Sequence, residues 1–425
     1  MRIAIDARYV SDHFPGIGRY VYNLLLALAE LDQRHTFAVL YNTALPNTRY
    51  DLAMLARHLP IRLVATNLRP FTIAEQTVIP RMLRTMQADL FHAPYYVRPY
   101  AWLPCPSVVT LYDVIPRRFP DEVAPRARLL FDLLTRLAIR ASDHVLAISG
   151  SARDDLVAAY GIPSRRITVT PLAADPRFRP QPPDAVAAVR AKYNLNDRYV
   201  LSVTSNKPHK NLVSLMEAWA RMLKARSQGD EEPRSQGDEE PRSQGDEEPR
   251  RFISDASESP GLPVSRSPGL PVSRSPGLVI AGHWDLRYPQ ARATVASLGV
   301  QEAVRFLPGV AEADLPALYS GAEVFVFPSR YEGFGLPVLE AMACGAPALA
   351  SNTSSLPEVV GDAGLLVDPT PEALAAGLER LLGDDTLRAE LRTAGLCRAA
   401  QFSWRKTAEA TLAVYEQVAR ASTKS

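Results

Sequence analysis

The sequence predicts an α/β protein built from two doubly wound domains. Short apolar strands alternate with helical stretches from the N-terminus onward, the alternation that gives a parallel sheet covered by helices. It pauses at a proline-rich segment, residues 175–183, and then restarts. At 425 residues the chain has ample length for two cores.

The first strand is expected over residues 2–6, followed by a loop, 7–18, that ends Pro15-Gly16-Ile17-Gly18. Residues 19–31 read as a helix, with Tyr20, Leu24, Leu28 and Leu31 at helical spacing. Strands follow at 37–40 and 61–65, then a helical pattern at 73–86. The segments 89–94 and 107–113 are apolar strands ending in polar residues. A basic helix, 125–141, carries Arg126, Arg128, Arg136 and Arg140 among Leu129, Leu130, Leu133, Leu134 and Leu137. Its expected state is core-packed leucines under a solvated basic face, with a membrane-surface role as the alternative. Strands at 144–149 and 167–171 complete a first domain, 1–175. A second domain, 176–402, is expected to hold strands at 199–204, 278–281, 304–307, 324–327, 348–350 and 365–367, with a helix at 211–223. A last segment, 403–425, opens with a helix whose apolar stripe is Ala408, Leu412, Tyr415 and Val418.

One stretch breaks the pattern. An acidic octapeptide starting at Arg226 repeats at Arg234 and Arg242, and a Pro- and Gly-rich one starting at Ser259 repeats at Ser267 and begins again at Ser275. Neither composition can bury a core, and eight residues is too short a period for a solenoid. The block, 226–276, is expected to be a disordered surface insertion, because loop-closure entropy grows slowly with length.

Net charge is only +2, so nucleic-acid binding through bulk charge is not expected. Cys105, Cys344 and Cys397 have no metal or redox spacing and fit reduced thiols. Asp6 interrupts any signal-peptide apolar region, and no apolar run reaches the ~20 residues of a membrane span. A cytoplasmic protein is the expectation.

The chemistry concentrates near Pro328-Ser-Arg-Tyr-Glu-Gly-Phe-Gly-Leu-Pro337. A buried strand, 324–327, precedes it, and Pro337 suits the start of a helix. A strand, a glycine turn and a helix present backbone N–H groups to an anion. Glu332 on the turn and Glu340 in the first helical turn would repel a lone phosphate. They suit the hydroxyls of a sugar, which makes this a turn for a nucleotide sugar.

This run, continued by Glu340-Ala-Met-Ala-Cys-Gly345, resembles the E-x7-E signature of the retaining glycosyltransferases of family four, which have the GT-B fold. The resemblance covers nearly the whole chain outside the repeats. It implies two Rossmann-like domains facing a cleft, with the C-terminal helix crossing back to the first domain. It also implies a donor-sugar contact for Glu332, the ribose diol for Glu340, and a diphosphate lined by the amides of Phe334, Gly335 and Leu336. Lys207-Pro-His-Lys210 resembles the family's basic turn, so Lys210 takes the diphosphate-binding place. A cation common six residues earlier is replaced by Thr204, for which Lys207 is a substitute. Gly16, Gly18 and Arg19 match the glycine-rich loop that closes over the diphosphate, and Val310 matches a backbone contact to the base. Tyr112-Asp113 stands where relatives have His-Asp. Asp113 is then a candidate to orient the acceptor hydroxyl, or simply a cap. His92 is a candidate acceptor-side group, or a structural hydrogen-bonder.

A departing diphosphate must be stabilised as its charge develops. The metal solution uses Asp-x-Asp, which this sequence lacks, leaving cationic side chains and amides. The expectation is a metal-independent, retaining hexosyltransferase without a cofactor. It would act on a nucleotide diphosphate sugar and a glycan or lipid-linked glycan at the inner face of the plasma membrane. Resemblance of the N-terminal half to bacterial mannosyltransferases of surface-polysaccharide synthesis points weakly to GDP-mannose. A catalytically silent sugar-nucleotide-binding scaffold and a GT-B sugar-nucleotide epimerase are the competing readings.

Overall fold

The structure, a computed structural model, describes residues 1–31, 34–229 and 276–422. Among the described residues thirteen strands form two parallel sheets. The first holds β1 (Arg2–Asp6), β2 (Thr36–Asn42), β3 (Ile61–Thr66), β4 (Leu90–Ala93), β5 (Ser107–Leu111), β6 (His144–Ala147) and β7 (Ile167–Val169). The second holds β8 (Tyr199–Val203), β9 (Gly277–Ala281), β10 (Val304–Leu307), β11 (Val324–Phe327), β12 (Ala348–Ser351) and β13 (Leu365–Val367).

The strand orders are β3-β2-β1-β4-β5-β6-β7 and β10-β9-β8-β11-β12-β13. Each order reverses at one place, between β1 and β4 in the first sheet and between β8 and β11 in the second. In open α/β sheets the crevice beyond the carboxyl ends of such a strand pair is where ligands bind. The strands are apolar along their length because helices cover both faces; β4, β5, β6, β11 and β12 are buried at every residue.

The terminal helix (Trp404–Ser422) buries Ala408, Leu412, Tyr415 and Val418. It returns to the first domain: Thr407 Oγ1 donates to the Pro171 carbonyl at 2.6 Å, and the Tyr415 hydroxyl meets His92 Nδ1 at 2.6 Å.

Four local expectations are corrected. The first helix begins at Pro15, not after the glycines, because Pro15 has the φ of a first helical turn; Gly16, Gly18 and Arg19 therefore lie within it. The helix predicted over 211–223 runs from Leu212 to Gly229, taking in the start of the first repeat. The strand β9 begins at Gly277, one residue before the expected start at Leu278. The rest of the proposed insertion lies outside the described residues. The basic helix (Pro125–Arg140) buries only Thr135, Ala138 and Ile139, so its leucines do not form the expected core face. Leu129, Leu130 and Leu133 are 71%, 50% and 51% exposed.

Candidate functional site

The two strands at the second sheet's reversal each end in a chemically loaded turn. After β8 comes a turn of 3-10 helix, Pro208–Lys210, closed by Asn211 at φ 59°. Asn211 is fixed by its side-chain amide donating to the Pro369 carbonyl (2.9 Å) and by accepting from Ser214 (2.9 Å) and Arg330 Nε (3.2 Å). That anchoring aims Lys210 across the reversal. After β11 the chain turns through Glu332 and Gly333 to Gly335, whose φ of 103° suits only glycine, and enters the helix Leu336–Ala343. This start puts Glu340 in the second helical turn, not the first.

Lys210 Nζ and Glu332 Oε1 meet at 2.6 Å, with side chains only 17% and 11% exposed. The Glu332 backbone is held on both sides, its N–H donating to Ser354 Oγ (2.9 Å) and its carbonyl accepting from Ser355 Oγ (3.0 Å). The N–H groups of Phe334 and Gly335 donate to no protein acceptor among the described residues, which leaves them available to an anion. The Phe334 ring is buried against Phe402. Lys207 is exposed beside this pair.

Asp113, just past β5 of the first domain, faces these groups. Burial pushes its carboxyl upward; the Ile115 amide and the Lys210 charge pull it down, and Glu332 pushes it up again. One Asp113 oxygen accepts from Ile115 N–H at 2.9 Å, the capping bond that was the alternative to a catalytic role. Tyr112, where relatives carry histidine, packs edge-on against Tyr20 (5.8 Å), with Tyr95 tilted against it at 6.2 Å.

His92 is corrected. It is fully buried, its Nε2 lies 2.8 Å from Thr110 Oγ1 and its Nδ1 is engaged by Tyr415. Burial, with the Arg98 charge adding, lowers its pKa to about 3. A neutral ring with both nitrogens occupied has no acceptor to reach; it ties the terminal helix to β4.

The domains meet closely over the turn. A Cβ on Gly333 would lie 2.5 Å from the Tyr112 carbonyl oxygen, so only glycine allows this approach. Ser149 Oγ donates to the Gly333 carbonyl at 2.6 Å, and the Glu358 carboxylate caps the amides of Gly150 and Ser151 at 2.8 Å each. His209 Nδ1 and Glu122 Oε2 lie 2.5 Å apart. Burial and the neighbouring Lys210 and Lys207 charges lower the His209 pKa to about 3, so the neutral ring donates to the carboxylate.

Arg19 reaches across to ion-pair with Glu340 and with Glu312 (2.7 Å). Glu312 also takes Arg49 (2.8 Å) and Arg177 (2.7 Å), and Tyr319 hydrogen-bonds Glu340 at 3.1 Å. Burial raises the Glu340 carboxyl, and Arg19 opposes it. The acid expected at a ribose is thus already neutralised by the arginine expected at a diphosphate. Glu312, Arg49, Arg177 and Tyr319 escaped the sequence reading because no local motif marks them. Val310 lies half-buried after β10.

Residues 15–178 match the family described as Glycosyltransferase Family 4, and residues 274–396 match Glycosyl transferases group 1. Two facing Rossmann-like domains make the GT-B fold, and the chain is a glycosyltransferase that carries one match to each of these two families. It is similar to the O-antigen chain mannosyltransferase B of Escherichia coli, 28% identical over 98% of this chain and 100% of the relative. It spans about a third, 34%, of another E. coli relative, the serotype-specific mannosyltransferase WbdA. Among solved structures it resembles sucrose-phosphate synthase from Thermosynechococcus elongatus (TM-score 0.69, 18% identity, 99% and 100% of the two chains). It also resembles HepE of Anabaena, solved with UDP and glucose (TM-score 0.67, 17% identity, 98% and 100%).

Proposed function

We propose that this enzyme transfers a mannosyl group, with retention and without a metal ion, from a nucleotide diphosphate sugar to a hydroxyl of a growing glycan. The Lys210–Glu332 pair beside the free amides of Phe334 and Gly335 carries this reading. Lys210 and the amides meet the diphosphate, and Glu332 accepts from sugar hydroxyls. The bond from the anomeric carbon to the β-phosphate oxygen breaks, the acceptor oxygen bonds that carbon on the same face, and its proton passes to the departing phosphate. Asp113 orients the acceptor hydroxyl. Mannose rests on the activity for which the E. coli relative is named, and a nucleotide sugar on the UDP bound by HepE. Metal independence rests on the charges present: Lys210 and the amides of Phe334 and Gly335 can meet the diphosphate charge that a metal would otherwise take.

The test is a thermal-shift panel of GDP-mannose, GDP, UDP-glucose and UDP, followed by turnover with and without EDTA. GDP-mannose is expected to raise the melting temperature most, since a ligand bound only by the folded state stabilises it by mass action. EDTA should leave turnover unchanged. Loss of activity in EDTA with recovery on adding manganese would refute the metal-free reading.

We further propose that the enzyme works at the inner face of a membrane, resting on the basic helix Pro125–Arg140. Its exposed Leu129, Leu130 and Leu133 lie beside Arg126, Arg128 and Arg140, which form no ion pair among the described residues. Apolar groups flanked by unpaired cations fit an anionic lipid surface. Among the described residues no helix is long and apolar enough to cross a membrane. The protein should float with phosphatidylglycerol vesicles, less so in high salt, and replacing the three leucines by serine should leave it in the soluble fraction. Equal flotation of both proteins would reject the idea.

A further inference from the structure

The first domain has its own reversal, between β1 and β4, and there the chain gathers aromatic rings, partly buried except for an exposed Phe71. Phe71 stacks on Phe14 with centroids 6.5 Å apart and planes at 20°. It lies edge-on to Tyr95 (6.5 Å) and Tyr96 (6.4 Å), which sit 4.1 Å from each other. Tyr95 continues the row to Tyr112 at 6.2 Å, the residue before Asp113. The Asp113 charge reaches both tyrosines: burial raises their hydroxyls, and Asp113 adds to the rise.

Phe71 is 51% exposed and sits at φ 67°, a left-handed conformation that strains a bulky residue. About half of the side chain stays in solvent despite its ring contacts, and glycine would hold the backbone more easily. The loop is nonetheless fixed at both ends by one buried ion cluster. Arg8, paired with Asp6 and Glu75, donates to the Leu68 carbonyl (3.4 Å), and Glu75 accepts from Thr72 N–H (2.9 Å). A strained aromatic held rigidly in the open is built to meet something.

We propose that Phe71, with Tyr95 and Tyr96, forms an acceptor subsite on which a hexopyranose of the acceptor glycan stacks. The inference rests on the glycosyltransferase reading and deepens it. One face of a pyranose presents C–H bonds, slightly positive, to the negative face of an aromatic ring, while its hydroxyls stay at the edge. The row is carried by the first domain, whereas Lys210 and Glu332 are carried by the second. It ends at Asp113, where the acceptor hydroxyl has to arrive.

The test uses Phe71→Gly, which removes the ring and relaxes the backbone, and Phe71→Trp, which keeps a ring. With methyl α-mannobioside as soluble acceptor, Phe71→Gly should raise the acceptor KM roughly three- to tenfold, the worth of one stacking contact. The kcat at saturating acceptor, the GDP-mannose thermal shift and the melting temperature should hold or, for the last, rise. Phe71→Trp should keep the acceptor KM near the wild-type value. Saturation-transfer NMR of methyl α-mannobioside on the wild type, lost in Phe71→Gly, reads the subsite without turnover. It therefore stands even where GDP-mannose gives no shift and the donor reading fails. An unchanged KM in Phe71→Gly overturns the proposal, as does a loss confined to vesicle-borne acceptor, which would assign the ring to a bilayer. Equal impairment in both variants also overturns it.

Discussion

Lys210→Ala is expected to lower kcat by about 10²–10³-fold, the usual cost of removing one group that stabilises developing negative charge. The variant should stay folded. Lys210 closes an exposed-edge turn whose backbone is anchored through Asn211, not through the ammonium group. It does leave the Glu332 carboxylate, 11% exposed, without its cation, so donor affinity should fall as well. Lys210→Arg should recover only part of the rate, because a guanidinium is wider and planar where Glu332 Oε1 now meets a compact ammonium at 2.6 Å. Wild-type turnover in Lys210→Ala, with normal GDP-mannose binding, would remove the diphosphate from this turn.

The second large effect falls on stability. Arg8, Asp6 and Glu75 form an ion cluster with side chains 0%, 0% and 2% exposed. Arg8→Leu would strand two carboxylates in the core, and losing one partner of a buried ionic cluster costs about 3–5 kcal/mol. A urea midpoint at neutral pH measures it. Burial pulls the Arg8 guanidinium down, yet Asp6 and Glu75 more than offset this and hold it above its ordinary value. Burial raises Glu75, and Arg8 opposes the rise. A carboxyl raised in the folded state favours folding below the ordinary carboxylate pKa, about 4, and loses that contribution as pH climbs through the folded value. Removing Arg8 takes away the opposing charge, so the variant should lose stability from about pH 4 to neutrality more steeply than the wild type. A penalty that grows on acidification, or an unmoved midpoint at pH 7, would contradict this. Because the same cluster holds the loop bearing Phe71, the variant should also weaken acceptor binding.

The cross-cleft pairing of Arg19 with Glu340 bears on how the site is entered. On the proposed reading a ribose diol at Glu340 would compete with Arg19 for that carboxylate, so donor entry would displace the arginine or share it. The Glu312 node gives Arg19 a second partner to keep when it lets go, so its charge need not be stranded.

Much of the fold could be read locally. The strands announced themselves because a parallel strand covered on both faces is apolar throughout, and 324–327 is buried at every residue as expected. The basic helix misled for the same reason in reverse: periodicity shows that leucines share a face, not that anything covers it. Helix starts at Pro15 and Leu336 shifted by a few residues, enough to turn a supposed loop at Gly16–Arg19 into helix and to move Glu340 up a turn. His92 illustrates the harder case. Its place at a strand end was legible, but its partner Tyr415 is 323 residues away, and that contact makes it structural.

The chain by itself settled the alternation of strands and helices, the break near 175–183, and the turn that carries Glu332, since each is written in neighbouring residues. Only the folded molecule decided which charges meet. Lys210 and Glu332 are 122 residues apart, Arg8 and Glu75 67, and Arg19 and Glu312 293. Periodicity and motif spacing report on residues a few bonds apart. An ion pair depends on where two sheets reverse and how closely two domains approach, which a local pattern does not encode.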